Sequence, residues 1–136
     1  MLYLAGQAAF GIIRERAEIR DQDQEVLSKW TSCFSGISVI CNRDTPPHQD
    51  VQSRHNWYDL LVALGKYQEC NLELPGIGLS LQYGPGTVVG LSGKMLEHQV
   101  PTFKGERVCY AYFMRDRVHE WAGISGEAWM KVDHYE

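Results

Sequence analysis

The triplet His48-Gln49-Asp50 and a second histidine, His98, supply side chains that bind metal ions. On an extended segment residues i and i+2 point to the same face, so His48 and Asp50 can share one ion. His98 would complete the set. Two imidazoles and one carboxylate on one side of a cation leave open positions at which other molecules can bind. The spacing therefore predicts a metal centre at His48, Asp50 and His98.

Arg107 follows His98 by nine residues and could bind an anionic cosubstrate beside the metal. Two histidines and a carboxylate are the ligand set of non-haem Fe(II) sites that admit an oxidant and a cosubstrate. The planar guanidinium of Arg107 can pair in bidentate fashion with the distal carboxylate of a 2-oxo acid bound to such an ion. Together these residues predict oxygen-dependent oxidation with a 2-oxo acid as cosubstrate.

The competing interpretation is that the HxD triplet arose by chance and that its histidine lies in a turn or in a hydrogen-bonded core. The order along the chain favours the metal centre. The triplet follows an apolar strand, short strands and Pro-Gly turns come next, and His98 precedes Arg107 in a later strand.

The elements that must position these residues change in character near residue 36. Residues 6–20 and 21–34 have apolar residues at helical spacing, which predicts two N-terminal helices. From there short alternating segments separated by Gly and Pro turns predict a β sandwich or barrel, and a double-sheet jelly roll buries ligands between its sheets. The predicted strands are 36–43, 58–64, 71–74, 79–83, 87–91, 95–100 and 107–114.

The predicted fold is therefore mainly β with N-terminal helices (α+β), built on a jelly-roll core. A chain of 136 residues has room for one domain with one modest core. We expect a single domain over 1–136, with helical support from 1–34, the β core from 35–116 and a covering segment from 117–136. In the last strand one face carries four residues that we expect in the interior: Arg107, Cys109, Ala111 and Phe113.

The composition, 44% hydrophobic and 22% charged, is that of an ordinary globular protein. The apolar runs are shorter than the roughly 20 residues that a membrane helix needs, and the N-terminus lacks a basic region and a cleavage site. We therefore expect no membrane span and an intracellular location. Four cysteines without CxxC spacing argue against a zinc ribbon or a disulfide framework and are expected to be buried thiols: Cys33, Cys41, Cys70 and Cys109.

The net charge of −4 does not favour binding to nucleic acid, whose partners usually carry a basic patch. A local patch remains compatible with this charge, because cations cluster in sequence around the predicted site while acids gather at residues 15–25. These cations are Arg43, Arg54, Lys94, Lys104, Arg107, Arg115 and Arg117.

Five segments and one isolated histidine match a known family in the same order along the chain. They are 35–50, 57–61, 72–78, 85–93 and 105–116, with His98 between the last two. On these residues the chain resembles the Fe(II)/2-oxoglutarate dioxygenases with a double-stranded β-helix, cupin-like core. Within that superfamily it is most similar to the branch of the TET methylcytosine oxygenases and J-binding proteins, particularly the fungal members. The likeness covers about residues 30–118.

The resemblance implies that His48, Asp50 and His98 bind catalytic iron and that Arg107 anchors 2-oxoglutarate. Cys109 stands where relatives place a hydroxyl that touches the cosubstrate. Asn42 either hydrogen-bonds a cosubstrate carboxylate or satisfies a strand edge.

On the substrate side, the resemblance implies that Ser53 contacts a base, that Phe113 stacks on it and that Arg115 is a polar neighbour. Enzymes that act on a base within a duplex flip it out and hold it in this way. The alternatives are core packing for Phe113 and an ion pair in a solvated turn for Arg115 and Asp116.

The function implied is Fe(II)-, 2-oxoglutarate- and O₂-dependent hydroxylation of the methyl group of a 5-methylpyrimidine, 5-methylcytosine or thymine, in nucleic acid. The partner would be DNA with a flipped methylated base, and the location would be the nucleus. Two alternatives are a hydroxylase of a protein or small molecule and a non-catalytic, metal-binding jelly-roll module. The other histidines, His55, His119 and His134, are expected to be exposed, with His55 close enough to line the substrate entrance.

Overall fold

The computed structural model describes residues 2–16 and 21–124, which form three α-helices, eight strands and one 3₁₀ turn. The helices are α1 (Leu2–Arg16), α2 (Asp21–Lys29) and α3 (Asp116–Ala122), and the 3₁₀ turn is Pro75–Ile77. The strands are β1 (Gly36–Cys41), β2 (Thr45–His48), β3 (Asp59–Gln68), β4 (Asn71–Leu74), β5 (Leu79–Gln82), β6 (Val88–Leu91), β7 (His98–Val100) and β8 (Lys104–Phe113).

The eight strands form two four-stranded antiparallel sheets, ordered β1-β8-β3-β6 and β2-β7-β4-β5. Two such sheets packed face to face are a double-sheet jelly roll, so the predicted fold class is confirmed. Tyr110 of β8 lies opposite Val39 of β1 on one side and Val62 of β3 on the other. This register places β8 at the centre of its sheet.

The predicted inner face of β8 is confirmed. Arg107 and Cys109 are buried, Ala111 and Phe113 are half-buried, and all four line a cavity between the sheets. The apolar core lies beside this cavity and consists of Ala63, Tyr67, Cys70, Leu72, Tyr83, Leu91 and Val100. The side chains of β8 that were expected to contribute to the site therefore point into the interior and not into solvent.

Strand β3 continues past Gly65, where the sequence predicted that it would end. Gly65 has φ of +125°, and a Cβ added there would lie 2.1 Å from the carbonyl oxygen of Glu106 on β8. Glycine is needed because the two backbones approach closely and because a side chain disfavours this φ. Gly65 thus permits strand pairing to reach Gln68 and is not a turn residue.

Strand β2 was not predicted, because Pro46 and Pro47 fill half of it. Proline cannot donate a ladder hydrogen bond and is confined to edge strands or bulges. β2 lies at the edge of its sheet and its register with β7 shifts between Thr45 and His48. The edge position explains why a strand can form there.

The first helix begins at Leu2 and not at residue 6, and it is described as far as Arg16. Residues 17–20, the predicted end of this helix, lie outside the described residues. In the covering segment predicted at 117–136, α3 packs against α1, and 125–136 lie outside the described residues. The single-domain organisation over 1–136 stays a prediction. Among the described residues no helix is long and apolar enough to cross a membrane.

Two of the four cysteines differ from the expected burial. Cys70 and Cys109 are buried, whereas Cys41 is exposed and Cys33 is intermediate. All four are free thiols, as the absence of a disulfide framework predicted.

His119 is buried at 1% exposure, so the expectation that it is exposed was wrong. Its ring packs edge-on against Trp57, with centroids 4.4 Å apart, in the contact between α3 and the loop after β2. Burial lowers the pKa of His119 below its ordinary value of 6.5, the charge of Arg54 lowers it further, and Asp116 opposes the shift. His55 is exposed as expected, and His134 lies outside the described residues.

This lowered pKa predicts an acid-sensitive contact. In the unfolded chain His119 becomes protonated near its ordinary pKa of 6.5, whereas in the folded chain its pKa is lower. The free energy of unfolding therefore decreases as pH falls below about 6.5. We expect His119→Gln to flatten the decline of the free energy of unfolding between about pH 7 and pH 5, measured by urea denaturation. The exposed His55→Gln variant is the control and should keep the wild-type slope. An unchanged slope in His119→Gln would contradict the prediction.

Candidate metal centre and adjoining cavities

The two histidines of the predicted centre are direct cross-strand neighbours. His48 ends β2, His98 begins β7, and the register pairs them, with ring centroids 4.2 Å apart. The Nδ1 of His48 lies 2.9 Å from the carbonyl oxygen of Pro46, and the Nδ1 of His98 lies 3.0 Å from that of Leu96. A carbonyl only accepts, so each Nδ1 carries the proton and each Nε2 keeps a free lone pair. Both rings are held in the tautomer that ligates a metal through Nε2.

Asp50 joins the pair from the loop after β2. Its backbone N–H donates to the carbonyl oxygen of Gly93 at 2.8 Å, and its Oδ2 lies 3.8 Å from Nε2 of His98. One ligand atom from each of His48, Asp50 and His98 lies within 4.8 Å of the others. These residues fit a divalent ion that prefers imidazole and carboxylate, and they occupy one side of it.

The protonation state of His98 also suits a ligand. Burial lowers its pKa, the hydrogen bond to Leu96 opposes this shift, the nearby His48 lowers the pKa and Asp50 raises it. The neutral imidazole is the form that binds metal. His98 is therefore ready to coordinate at neutral pH.

Arg107 is a buried cation that lines the same cavity between the sheets as His48, Asp50 and His98, here called the inner cavity. It is 2% exposed, and its Cζ lies 5.0 Å from the ring centroid of Tyr83 and 5.8 Å from that of Phe103. Among the described residues its Nε has no hydrogen-bond partner and no carboxylate forms a salt bridge with it. Its other contacts are with the tyrosine side chains of Tyr67 and Tyr83. A buried cation without a counter-ion is costly, so this guanidinium suits an anionic ligand.

A sequence profile of the TET/JBP family, described as the oxygenase domain of the 2OGFeDO superfamily, matches residues 14–116. The chain belongs to this family. Fe(II), 2-oxoglutarate and O₂ are the cofactors of the superfamily, and the resemblance inferred from the sequence is confirmed. No curated protein gives a significant match.

A solved structure, "NgTET1 in complex with 5mC DNA in space group P3221", has the same fold as this TET/JBP chain. The two share 20% sequence identity with a TM-score of 0.57. The match covers 76% of this chain and 41% of the other, so the chain spans less than half the length of that structure. At this identity the comparison supports the jelly-roll fold only, and the roles of individual residues rest on the geometry of the site.

Two residues expected beside the cosubstrate of this TET/JBP chain have different positions. Cys109 is buried and lines the inner cavity, with its Sγ 3.5 Å from the hydroxyl of Tyr83. Asn42 is exposed and is not among the residues that line the cavity. Its Oδ1 accepts from the backbone N–H of Arg107 at 2.7 Å, and its own N–H donates to the Arg107 carbonyl at 2.8 Å. The strand-edge alternative therefore accounts for Asn42, which fixes the backbone of Arg107.

Asp59 is a cavity residue that the sequence analysis missed. It is 4% exposed, and neither carboxyl oxygen has a hydrogen-bond partner among the described residues. Burial raises its pKa to about 7, the negative charge of Asp50 raises it too, and Arg115 opposes the shift. A Cβ at Gly93 would lie 2.4 Å from Oδ2 of Asp50 and 2.8 Å from Oδ2 of Asp59. An acidic residue at an inward-facing position of a predicted strand could have indicated Asp59. It was missed because it is not part of the spacing pattern of the predicted metal ligands.

Phe113 and Arg115 lie together in the lining of the inner cavity, and their roles toward a base stay a prediction. The Cζ of Arg115 lies 3.9 Å from the ring centroid of Phe113, and both residues line the cavity. A Cβ at Gly36 would lie 2.4 Å from the Phe113 ring, so glycine at this position makes room for the ring. The edge of the Phe113 ring packs against Gly36, and the guanidinium of Arg115 lies over one face of the ring.

Ser53 lies in a second, outer cleft of about 830 Å³ and not among the residues of the inner cavity. It is 5% exposed, its N–H donates to the Asp50 carbonyl at 3.1 Å, and its Oγ is unpartnered among the described residues. One wall of the cleft is an ion pair between Arg54 and Asp116. Asp116 therefore pairs with Arg54 in a part-buried contact, and Arg115, which stacks on Phe113, does not make the solvated ion pair that was considered.

Proposed function

We propose that the chain is an Fe(II)- and 2-oxoglutarate-dependent dioxygenase that hydroxylates the methyl group of a 5-methylpyrimidine in nucleic acid. The observation that carries this proposal is one cavity lined both by a three-residue cluster suited to a metal, with free Nε2 atoms, and by a buried arginine that has no carboxylate partner among the described residues. Metal binding alone does not require that arginine. The family assignment and the solved relative in complex with 5mC DNA support the choice of substrate.

When bound, Fe(II) supplies the oxidation in which 2-oxoglutarate, O₂ and a methyl group become succinate, CO₂ and a hydroxymethyl group. His48, Asp50 and His98 would hold the ion. Arg107 would neutralise the distal carboxylate of the cosubstrate and orient it. Phe113 would position the substrate ring in the same cavity, which would convert the reaction into one between positioned groups.

The experiment that tests this proposal incubates the chain with Fe(II), ascorbate, 2-oxoglutarate and an oligonucleotide that carries 5-methylcytosine. We expect mass spectrometry to detect the gain of one oxygen atom on the methylated base, with matching succinate. A duplex with cytosine in place of 5-methylcytosine and uracil in place of thymine lacks every 5-methyl group and is the substrate control. A duplex in which thymine is the only 5-methylpyrimidine determines which of the two bases is used.

Other outcomes would assign the alternatives. Succinate release without any change in nucleic acid would contradict the proposed substrate and point to a protein or small molecule. A bound metal without succinate under all conditions would indicate a non-catalytic ligand-binding module. If the nucleic-acid substrate is confirmed, an intracellular, nuclear location follows as part of the proposal.

Phe113→Ala should weaken binding of the methylated oligonucleotide by about 1–3 kcal/mol, the usual contribution of one base stacked on an aromatic ring. Phe113→Leu is the matched variant, because leucine retains apolar volume against Gly36 but cannot stack. We expect both variants to lose affinity while Phe113→Leu keeps its melting temperature. Unchanged affinity in both variants, with a lower melting temperature in Phe113→Ala, would assign Phe113 to core packing.

A further inference from the structure

The side of the β1-β8-β3-β6 sheet that points away from the inner cavity is apolar and in large part exposed. It carries the outward side chains of 37–41, 60–64, 88–90 and 108–112 and is called here the exposed sheet face. None of these outward residues is charged. Val39 is 56% exposed, Val88 57% and Leu64 41%. A contiguous apolar surface of this kind marks a site of protein association.

The strand register makes the exposed sheet face symmetrical. Its central row runs across the four strands in the order Val39, Tyr110, Val62 and Val88. The midline of the sheet lies between β8 and β3. A twofold axis along this midline would place a second copy's row on the first in reverse order. Val39 of each copy would then meet Val88 of the other, which is the self-complementarity that a twofold interface requires.

A pair of opposite charges continues this symmetry. Lys66 of β3 and Glu106 of β8 are register partners next to the apolar rows, one on each side of the midline, and both are exposed. Neither forms a salt bridge among the described residues. The same axis would bring Lys66 of each copy over Glu106 of the other. A margin that carries both signs in this arrangement fits a second copy better than a partner whose charge has one sign.

The size of the exposed sheet face indicates how strongly two copies would associate. Four strands about 4.8 Å apart, over the length of residues 60–66 at about 3.3 Å per residue, give roughly 450 Å² per copy. The total of about 900 Å² for a pair is below the roughly 1,600 Å² of stable complexes and in the range of weak ones. The area therefore suits reversible association.

We propose that the exposed sheet face binds a second copy of this chain about a twofold axis along the midline between β8 and β3, which forms a weak, reversible dimer. Burial of the apolar rows drives the association, and the contacts of Lys66 with Glu106 fix the register. The inner cavity lies on the opposite side of the sheet, so each copy keeps its own cavity. The dimer therefore depends neither on metal nor on the proposed reaction.

Sedimentation equilibrium of the full chain tests the proposal, in a reducing buffer because Cys41 on the same face is an exposed thiol. We expect the average mass of the wild type to rise toward twice the monomer mass between about 1 and 300 µM, as the small area predicts. Val39→Glu places a charge twice in the contact and should remain monomeric over this range. Val26→Glu, at a 61% exposed position of α2, is the matched control and should dimerise like the wild type. Melting temperatures equal to that of the wild type show that both variants are folded.

Charge reversal tests the axis itself. Lys66→Glu alone and Glu106→Lys alone each replace two attractive pairs with two repulsive ones, so each should raise the dissociation constant about tenfold. The double variant restores opposite charges and should dimerise like the wild type. A wild type that stays monomeric over the whole range would overturn the proposal and assign the face to a different partner. Dimers that survive in Val39→Glu, or a double variant as weak as the single ones, would overturn it as well.

Discussion

Loss of turnover is the expected result of replacing His48 with Ala, and equally of replacing Asp50 with Ala. Each change removes one of the three potential ligands that, among the described residues, lie within 4.8 Å of one another. Loss of a residue that merely supports a ligand already costs about 10–100-fold in metal affinity or activity, and loss of the ligand itself should cost more. The measurements are succinate release with saturating 2-oxoglutarate and Fe(II) affinity by titration.

The control for these variants is His55→Ala. His55 is exposed, lies seven residues after His48, and is not one of the three clustered ligands. It should bind Fe(II) as tightly as wild type. Decarboxylation of 2-oxoglutarate that survives in both His48→Ala and Asp50→Ala would refute the metal centre.

Arg107→Gln should mainly raise the concentration of 2-oxoglutarate needed for half-maximal succinate release. Removing one partner of a buried charge pair costs about 2–5 kcal/mol, which corresponds to roughly 30-fold or more in that concentration. Arg107→Lys is the matched variant. It keeps the charge but loses the planar fork, so its requirement should lie between those of Arg107→Gln and wild type.

Stability separates this role of Arg107 from a structural one. Because the guanidinium forms no salt bridge among the described residues, its removal leaves no buried carboxylate without a partner, and this gain offsets the lost contacts with Tyr83 and Phe103. The melting temperature of Arg107→Gln without 2-oxoglutarate should therefore stay close to that of wild type, and the rise that 2-oxoglutarate produces should be lost. A sharp fall in melting temperature with an unchanged 2-oxoglutarate requirement would show that Arg107 serves the fold.

The strands that the sequence predicted are those in which alternation and turn residues agree. In β8 the inward residues Arg107 and Cys109 alternate with the outward Val108 and Tyr110, and this period of two places the face correctly. Local pattern failed at β2, since an edge position, which only the assembled sheet defines, makes its prolines tolerable. It failed at Gly65 for a similar reason, because the close approach of Glu106 is a tertiary contact.

The same division applies to the candidate site. The metal ligands and Arg107 could be predicted, because each follows from residue type and order along the chain. The roles of Asp59 and His119 could not, since an acid in a strand and a histidine in a helix acquire their environments only when distant elements pack against them. The place of Ser53 in the outer cleft depends likewise on the turn after Asp50.

The pairing of His48 with His98 across β2 and β7 has a mechanical consequence. β2 is an edge strand whose two prolines provide no ladder donors, so few backbone bonds join it to the sheet. An ion held by both imidazoles would act as a clasp between these strands and would substitute for the missing bonds. Ligand occupancy favours the folded state by mass action, by about 2.7 kcal/mol at a hundredfold excess over Kd. Metal binding at the proposed centre and the pairing of β2 with β7 would thus be coupled, so each would favour the other.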